Sequence, residues 1–166
     1  LVGIYTGLRV HSEALTLKKA DIDLRHRQLT VQAAYAKNGV TKTVPILPDL
    51  VKPLRSQMER SDSEWMFVQK DGASRLRSNR IGFEGACRRA KLDDVTPHVL
   101  RHTFASRLGM LGTDLRTIQE LGGWRSIKMV ERYAHLSDEH KRAAIEGLSR
   151  EKMDTVFPTN QNHRES

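Results

Sequence analysis

The sequence holds one cysteine, Cys87, in 166 residues. That excludes a disulfide framework and any zinc site built on several thiolates, and it fits a reducing cytosol. Aromatic residues make up only 5% of the chain. No apolar run is long enough to cross a bilayer. Acidic residues are in deficit: Asp and Glu number 20 against 28 Lys and Arg, for a formal net charge of +8. A surplus of this size points to a polyanionic partner, either nucleic acid or an anionic membrane surface. Charge alone is equally compatible with a basic protein that has no such partner. The chain opens LVGIYTG, without Met and without a signal-peptide pattern, and reads as a piece of a longer protein with a segment missing upstream. Its length suits one domain with a real core, or one domain plus a tail.

What is present alternates helical and extended patterns. LVGIYTG reads as a helix stopped by Gly7, and Ser12 is placed to cap a second helix, SEALTLKKA. DIDLRHRQ is polar and turn-like. LTVQAAYA and TKTVPI are β-prone runs joined by KNGV, where Asn38-Gly39 is a hairpin signal. Pro48 opens a helix in PDLVKPLRSQMER, and WMFV is a candidate third strand. RSNRIGFEGACRRAKL and HVLRHTFASRLGMLG read as helices. Thr113 is placed to cap DLRTIQEL, which Gly122-Gly123 end, and SIKMVERYAHL and SDEHKRAAIEGLS follow as helices. The polar end, EKMDTVFPTNQNHRES, reads as a tail or mobile arm. The fold class is mainly α with a small antiparallel β-sheet, divided as one domain over 1–149 and a polar tail over 150–166.

Several residues carry possible chemistry. His98 and His102 in HVLRH stand four apart, a spacing a metal pair would use, but Val99 replaces the Glu that a zinc protease needs. His98 with Arg101, three apart, suits a phosphate instead: a guanidinium fork and a group that moves a proton near neutral pH. The apolar stripe Leu100, Phe104, Leu108 and Leu111 should bury this helix and leave His98 and Arg101 at the edge of the packed face. Arg9 follows the Gly7-Leu8 turn; it can reach a phosphate or simply pair with Glu13. Lys37, in the hairpin turn, is either solvated or a mobile cation. Tyr133 lies three residues after Val130 and four after Met129 and so shares their helical face, which suits a core residue as well as a nucleophile.

The order of these signals is more specific than any one of them. TGLR with Glu13 four residues after Arg9, a turn lysine before TVPI, HVLRHTFAS, GGW, and RYAHL with its tyrosine nine residues past the Trp together resemble the catalytic domain of the tyrosine recombinases, the phage-integrase family. The resemblance spans roughly residues 1 to 148. It implies an active site of Arg9, Lys37, His98, Arg101, Trp124 and Tyr133. Tyr133 would be the nucleophile, Lys37 the general acid for the 5′-oxygen, and His98 the base or proton relay. Trp124 stands where the family holds His or Trp. Its indole N–H can only donate, so proton transfer would fall on His98 and Lys37. Glu13 would orient Arg9, and His102 would support the helix, with a role behind the first contacts as the lesser option.

The resemblance further implies site-specific DNA recombination through a 3′-phosphotyrosyl intermediate, without metal or other cofactor. The implied partners are double-stranded DNA attachment sites, a homotetramer on paired DNA, and accessory DNA-bending proteins. The implied setting is the cytoplasm and nucleoid of a bacterial host. Between Arg75 and Lys91, the residues Arg75, Arg77, Arg80, Arg88, Arg89 and Lys91 face one acidic residue, Glu84. They are candidates for backbone phosphate contacts, and a solvated helix face fits them as well. Three other readings stay open: a type IB topoisomerase-like enzyme, a DNA-binding module of the same fold without catalysis, and a helix-turn-helix regulator. The last accounts for the charge and the helices but not for the ordered Arg, Lys, His, Arg, Trp and Tyr.

Overall fold

A computed structural model describes residues 1–36, 39–137 and 145–146 of the chain. Among these residues, five helices and one sheet follow in the order α1 (Val2–Thr6), β1 (Ile22–Asp23), β2 (Gln28–Val31), β3 (Lys42–Pro45), α2 (Pro48–Met58), α3 (Arg80–Arg89), α4 (Pro97–Met110) and α5 (Leu115–Gly122). Short 3-10 turns lie at Ala14–Thr16, Lys19–Asp21, Ile127–Met129 and Glu131–Ser137. The three strands are antiparallel in the order β1-β2-β3, with Leu29 opposite Val44. Leu29, Val31 and Val44 point inward and join Leu8, Leu17, Leu50, Leu54 and Met66 in the larger core. A second, smaller core holds Ala105, Ile118, Trp124, Val130 and Tyr133. Helix α4 packs against α1 on one side and against α5 and the Glu131–Ser137 turn on the other, so it spans the two cores.

The mainly helical class with a small antiparallel sheet holds, and several local expectations do not. SEALTLKKA forms two 3-10 turns rather than a helix, and Ser12 caps nothing. Tertiary pairing overrides its helical pattern: Lys18 bridges Trp65, and the Met66 N–H donates to the Leu17 carbonyl. The third strand is Ile22–Asp23, within the polar DIDLRHRQ, while WMFV supplies only isolated bridges. The hairpin ladder ends at Val31 opposite Lys42, and Asn38 of the expected turn lies outside the described residues. Asp114, not Thr113, caps α5, accepting from the Thr117 N–H at 2.9 Å. SIKMVERYAHL is 3-10 rather than α-helical. In a 3-10 turn positions i and i+3 eclipse. Val130 therefore lies under Tyr133, both buried, while Met129 is 47% exposed and not on that face. The expected helix over SDEHKRAAIEGLS and the tail over 150–166 lie outside the described residues, apart from Ser137 and 145–146.

Candidate active site

Helix α4 buries Arg101, Phe104, Ala105 and Gly109, a stripe at helical spacing that contains an arginine. The stripe expected from the sequence is turned: Leu100 and Leu108 are half-buried, and Leu111, just past the helix end, is 74% exposed. Small side chains at 105 and 109 let the neighbouring elements close on that face. Arg101 thus lies inside the packed face, at 5% exposure, rather than at its edge.

A buried guanidinium requires partners, and Arg101 finds them in two carbonyls. Its Nη1 donates to Gly7 O at 2.7 Å and to Gly122 O at 2.6 Å. Its Cζ lies 3.9 Å from the Trp124 ring centroid, a cation–π stack. The Nη2 nitrogen is buried and has no partner among the described residues. Burial, and then the nearby Arg9, pull its pKa down to about 10, so it stays cationic at neutral pH. Gly7 makes the first anchor possible. It ends α1 with φ 65°, and the Phe104 ring passes where a Cβ would stand, 2.5 Å from the nearest ring carbon.

Glu13, 1% exposed, organises the other cations. It accepts from Arg9 Nη1 at 2.6 Å and from the Arg9 backbone N–H at 2.8 Å. Lys42 Nζ reaches it at 3.4 Å and donates to Gly122 O at 2.9 Å. The pairing of Arg9 with Glu13, weighed against a phosphate role in the sequence, is present and fixes the arginine beside the site. Lys42 was not singled out from the sequence. Alternation along β3 carried the signal: Lys42 shares a strand face with the buried Val44. Burial lowers the Lys42 pKa to about 8, with Glu13 opposing and Arg101 and Arg9 assisting. Lys37 lies outside the described residues.

Trp124 and Tyr133 belong to the smaller core, with ring centroids 6.2 Å apart. The Trp124 ring rests directly on Gly122, where a Cβ would meet Cζ3 at 1.7 Å. Gly123 then turns the chain in the left-handed conformation. Tyr133 is 4% exposed, and its hydroxyl lies 2.5 Å from His102 Nδ1. Burial raises the Tyr133 pKa, with Arg132 and Arg101 acting in the opposite direction. His98 is exposed, and its side chain makes no hydrogen bond among the described residues. Arg9, Arg101, Trp124 and Tyr133 are thus brought together, with Glu13, Lys42 and His102 joining them. His98 stands one turn before His102 on α4.

In the basic stretch, Arg77, Arg80, Arg88, Arg89 and Lys91 are exposed. Arg80 pairs with Glu84 at 2.7 Å, and Arg75 is half-buried, 5.6 Å from the Trp65 ring centroid.

A phenol, two arginines and an indole thus surround one point on this mainly helical fold. The chain belongs to the phage integrase family, whose sequence pattern matches residues 1–140. It is similar to the integrase of Salmonella phage P22, at 31% identity over 81% of this chain and 38% of the relative. It is also similar to tyrosine recombinase XerA of Pyrococcus furiosus, at 36% identity over 85% of this chain and 50% of the relative. It therefore spans half or less of the length of these relatives. Among solved structures, an XerA recombinase superposes with a TM-score of 0.69 at 30% identity, covering 89% of this chain and 56% of that one. The catalytic domain of bacteriophage HP1 integrase superposes with a TM-score of 0.65 at 28% identity, covering 90% of this chain and 80% of that one.

Proposed function

We propose that residues 1–149 are the catalytic domain of a site-specific DNA recombinase, of phage or prophage integrase type. It cleaves and rejoins DNA strands through a covalent 3′-phosphotyrosyl intermediate. The observation that carries the reading is Arg101: a buried cation, clamped by two carbonyls and an indole, with its Nη2 amino group left without a partner among the described residues, beside a buried phenol. Buried polar groups are almost always satisfied, so a free Nη2 donor on a fixed guanidinium suits an anionic oxygen supplied by a ligand. The recombinase and integrase names of the relatives support the same activity.

In this reading Arg101 and Arg9 bind the non-bridging oxygens of the scissile phosphate and offset the charge gained in the transition state. The Tyr133 oxygen attacks phosphorus, the bond to O5′ breaks, and the strand's 3′ end is left on the tyrosine. The phosphoryl bond energy stays in that link, so a new 5′-hydroxyl can reverse the step. Trp124 holds the guanidinium plane against the site. Lys37 protonates the leaving 5′-oxygen, a role that rests on the family resemblance. The exposed basic residues Arg77, Arg88, Arg89 and Lys91 contact the DNA backbone. A homotetramer on paired attachment sites in the bacterial cytoplasm, aided by DNA-bending proteins, completes the reading.

Relaxation of supercoiled plasmid in EDTA, with SDS trapping of protein on DNA, tests this. Relaxation and a trapped adduct are expected, both lost in Tyr133→Phe. If wild type and variant bind DNA alike and neither relaxes nor traps it, even with any upstream segment restored, the chain is a binding module and the proposal fails.

A further inference from the structure

The resemblance gives the proton-handling role to His98, yet the tyrosine hydroxyl meets a different histidine. His102 Nδ1 stands 2.5 Å from Tyr133 Oη, within the range of a strong O–H···N contact, and the two rings tilt at 47° with centroids 6.3 Å apart. His98 makes no hydrogen bond to Tyr133 among the described residues. The contact joins α4 to the Glu131–Ser137 turn, the two elements that also set Arg101 and Tyr133. We propose that His102 is the general base of the cleavage step, taking the Tyr133 hydroxyl proton at Nδ1 and returning it on rejoining. This inference rests on the recombinase reading above.

The environment fits the assignment. Burial, followed by Arg132, His98 and Arg101, lowers the His102 pKa, which keeps the ring neutral and its lone pair available at neutral pH. Tyr133, raised by burial, does not ionise unaided at that pH. The charged groups acting on the pair come from two sides: Arg132 from the nucleophile's own turn, and Arg101 and His98 from α4. All are cationic or neutral, so they disfavour imidazolium before the reaction and favour phenolate. The phosphate, once bound, adds negative charge beside the pair and makes the proton more welcome on His102.

The step balances without a further reagent beyond the acid already named. The Oη–H bond of Tyr133 breaks and its proton passes to His102 Nδ1, while Nε2 keeps its own. An Oη lone pair forms the bond to phosphorus. The P–O5′ bond breaks, its electron pair goes to O5′, and that oxygen takes a proton from the general acid, Lys37. His98, exposed like His102 and one turn before it on α4, is left to donate to the phosphate.

Two measurements test the proposal. The first needs no DNA: long-range proton–nitrogen NMR of the histidine rings, with His102 assigned by its loss in His102→Gln. The expected tautomer at neutral pH carries its proton on Nε2, with a bare Nδ1 whose shift moves in Tyr133→Phe. A proton on Nδ1 overturns the proposal, because that nitrogen would donate and could not take up the phenol proton. The second is the rate of SDS-trapped adduct on supercoiled plasmid against pH. His102→Gln keeps a side chain able to hydrogen-bond but unable to titrate. It should lose about 100-fold in rate at neutral pH and recover with rising pH as hydroxide takes over. His98→Gln should keep the wild-type shape of the profile. A His102→Gln profile parallel to wild type would reduce His102 to a positioning residue and overturn the assignment. If wild type itself forms no adduct, the recombinase reading fails first and this proposal with it, whatever the NMR shows.

Discussion

Replacing Gly122 with alanine sets two effects of opposite sign against each other. Gly122 is the last residue of α5, and alanine in a helix is favoured over glycine by about 1 kcal/mol, less in a final turn. On propensity alone the variant gains stability. The contact geometry says otherwise: an added Cβ would meet Trp124 at 1.7, 2.2 and 2.7 Å, all on the indole ring. The ring cannot yield freely, since Arg101 stacks on it at 3.9 Å and Tyr133 packs beside it. Overpacking of this kind costs about 1–3 kcal/mol, and loss of a desolvated cation–π stack adds up to about 2 kcal/mol. The net expectation is a loss of about 2 kcal/mol, or a fall in Tm of about 4–8 °C for a chain of this size. Urea denaturation of Gly122→Ala, Trp124→Ala and the double variant isolates the cause. With Trp124 truncated, Gly122→Ala should become neutral or slightly stabilising, giving a coupling of about 2 kcal/mol. If Gly122→Ala stabilises the wild-type background, or costs the same in both, the indole does not rest on this glycine and the account of the site is wrong.

Two further outcomes follow from charge. Lys42 has a folded-state pKa of about 8 against 10.5, so between those values the unfolded chain holds a proton that the folded chain has released. Stability therefore rises with pH across that window, and the penalty is complete below pH 8. Relative to Lys42→Met, the wild type should gain about 3 kcal/mol between pH 8 and 10.5, read from denaturant midpoints; parallel curves would refute it. For the exposed basic stretch, Arg88→Gln with Arg89→Gln should lower the slope of log affinity against log salt by about 2 on duplex DNA, and an unchanged slope would mark these residues as a solvated face.

The legibility of the site from the sequence was uneven for identifiable reasons. Arg101 and Tyr133 were visible because their motifs are local and ordered, and α2, α4 and α5 because a Pro start or a glycine stop punctuates each. Arg101 was nonetheless placed at an edge, since a helical wheel weighs Leu100 and Leu108 by hydrophobicity and cannot see that Ala105 and Gly109 invite close packing. The SEALTLKKA segment misled because its pairing partner, Trp65–Met66, lies far along the chain. Lys42 was passed over because a lysine in a strand reads as outward until its neighbour Val44 fixes the face. The His102–Tyr133 contact joins residues 31 apart and was beyond local pattern altogether.

The two carbonyls that hold Arg101 belong to turns 94 and 21 residues away along the chain. The arginine is therefore oriented only after α1, α4 and α5 have all assembled and both glycine turns have closed. A nascent or partly unfolded chain carries the same tyrosine but no clamped cation to bring a phosphate to it. Under the proposed recombinase reading, this ties the ability to nick DNA to the completion of folding. Damaged or half-made copies are then inert rather than hazardous.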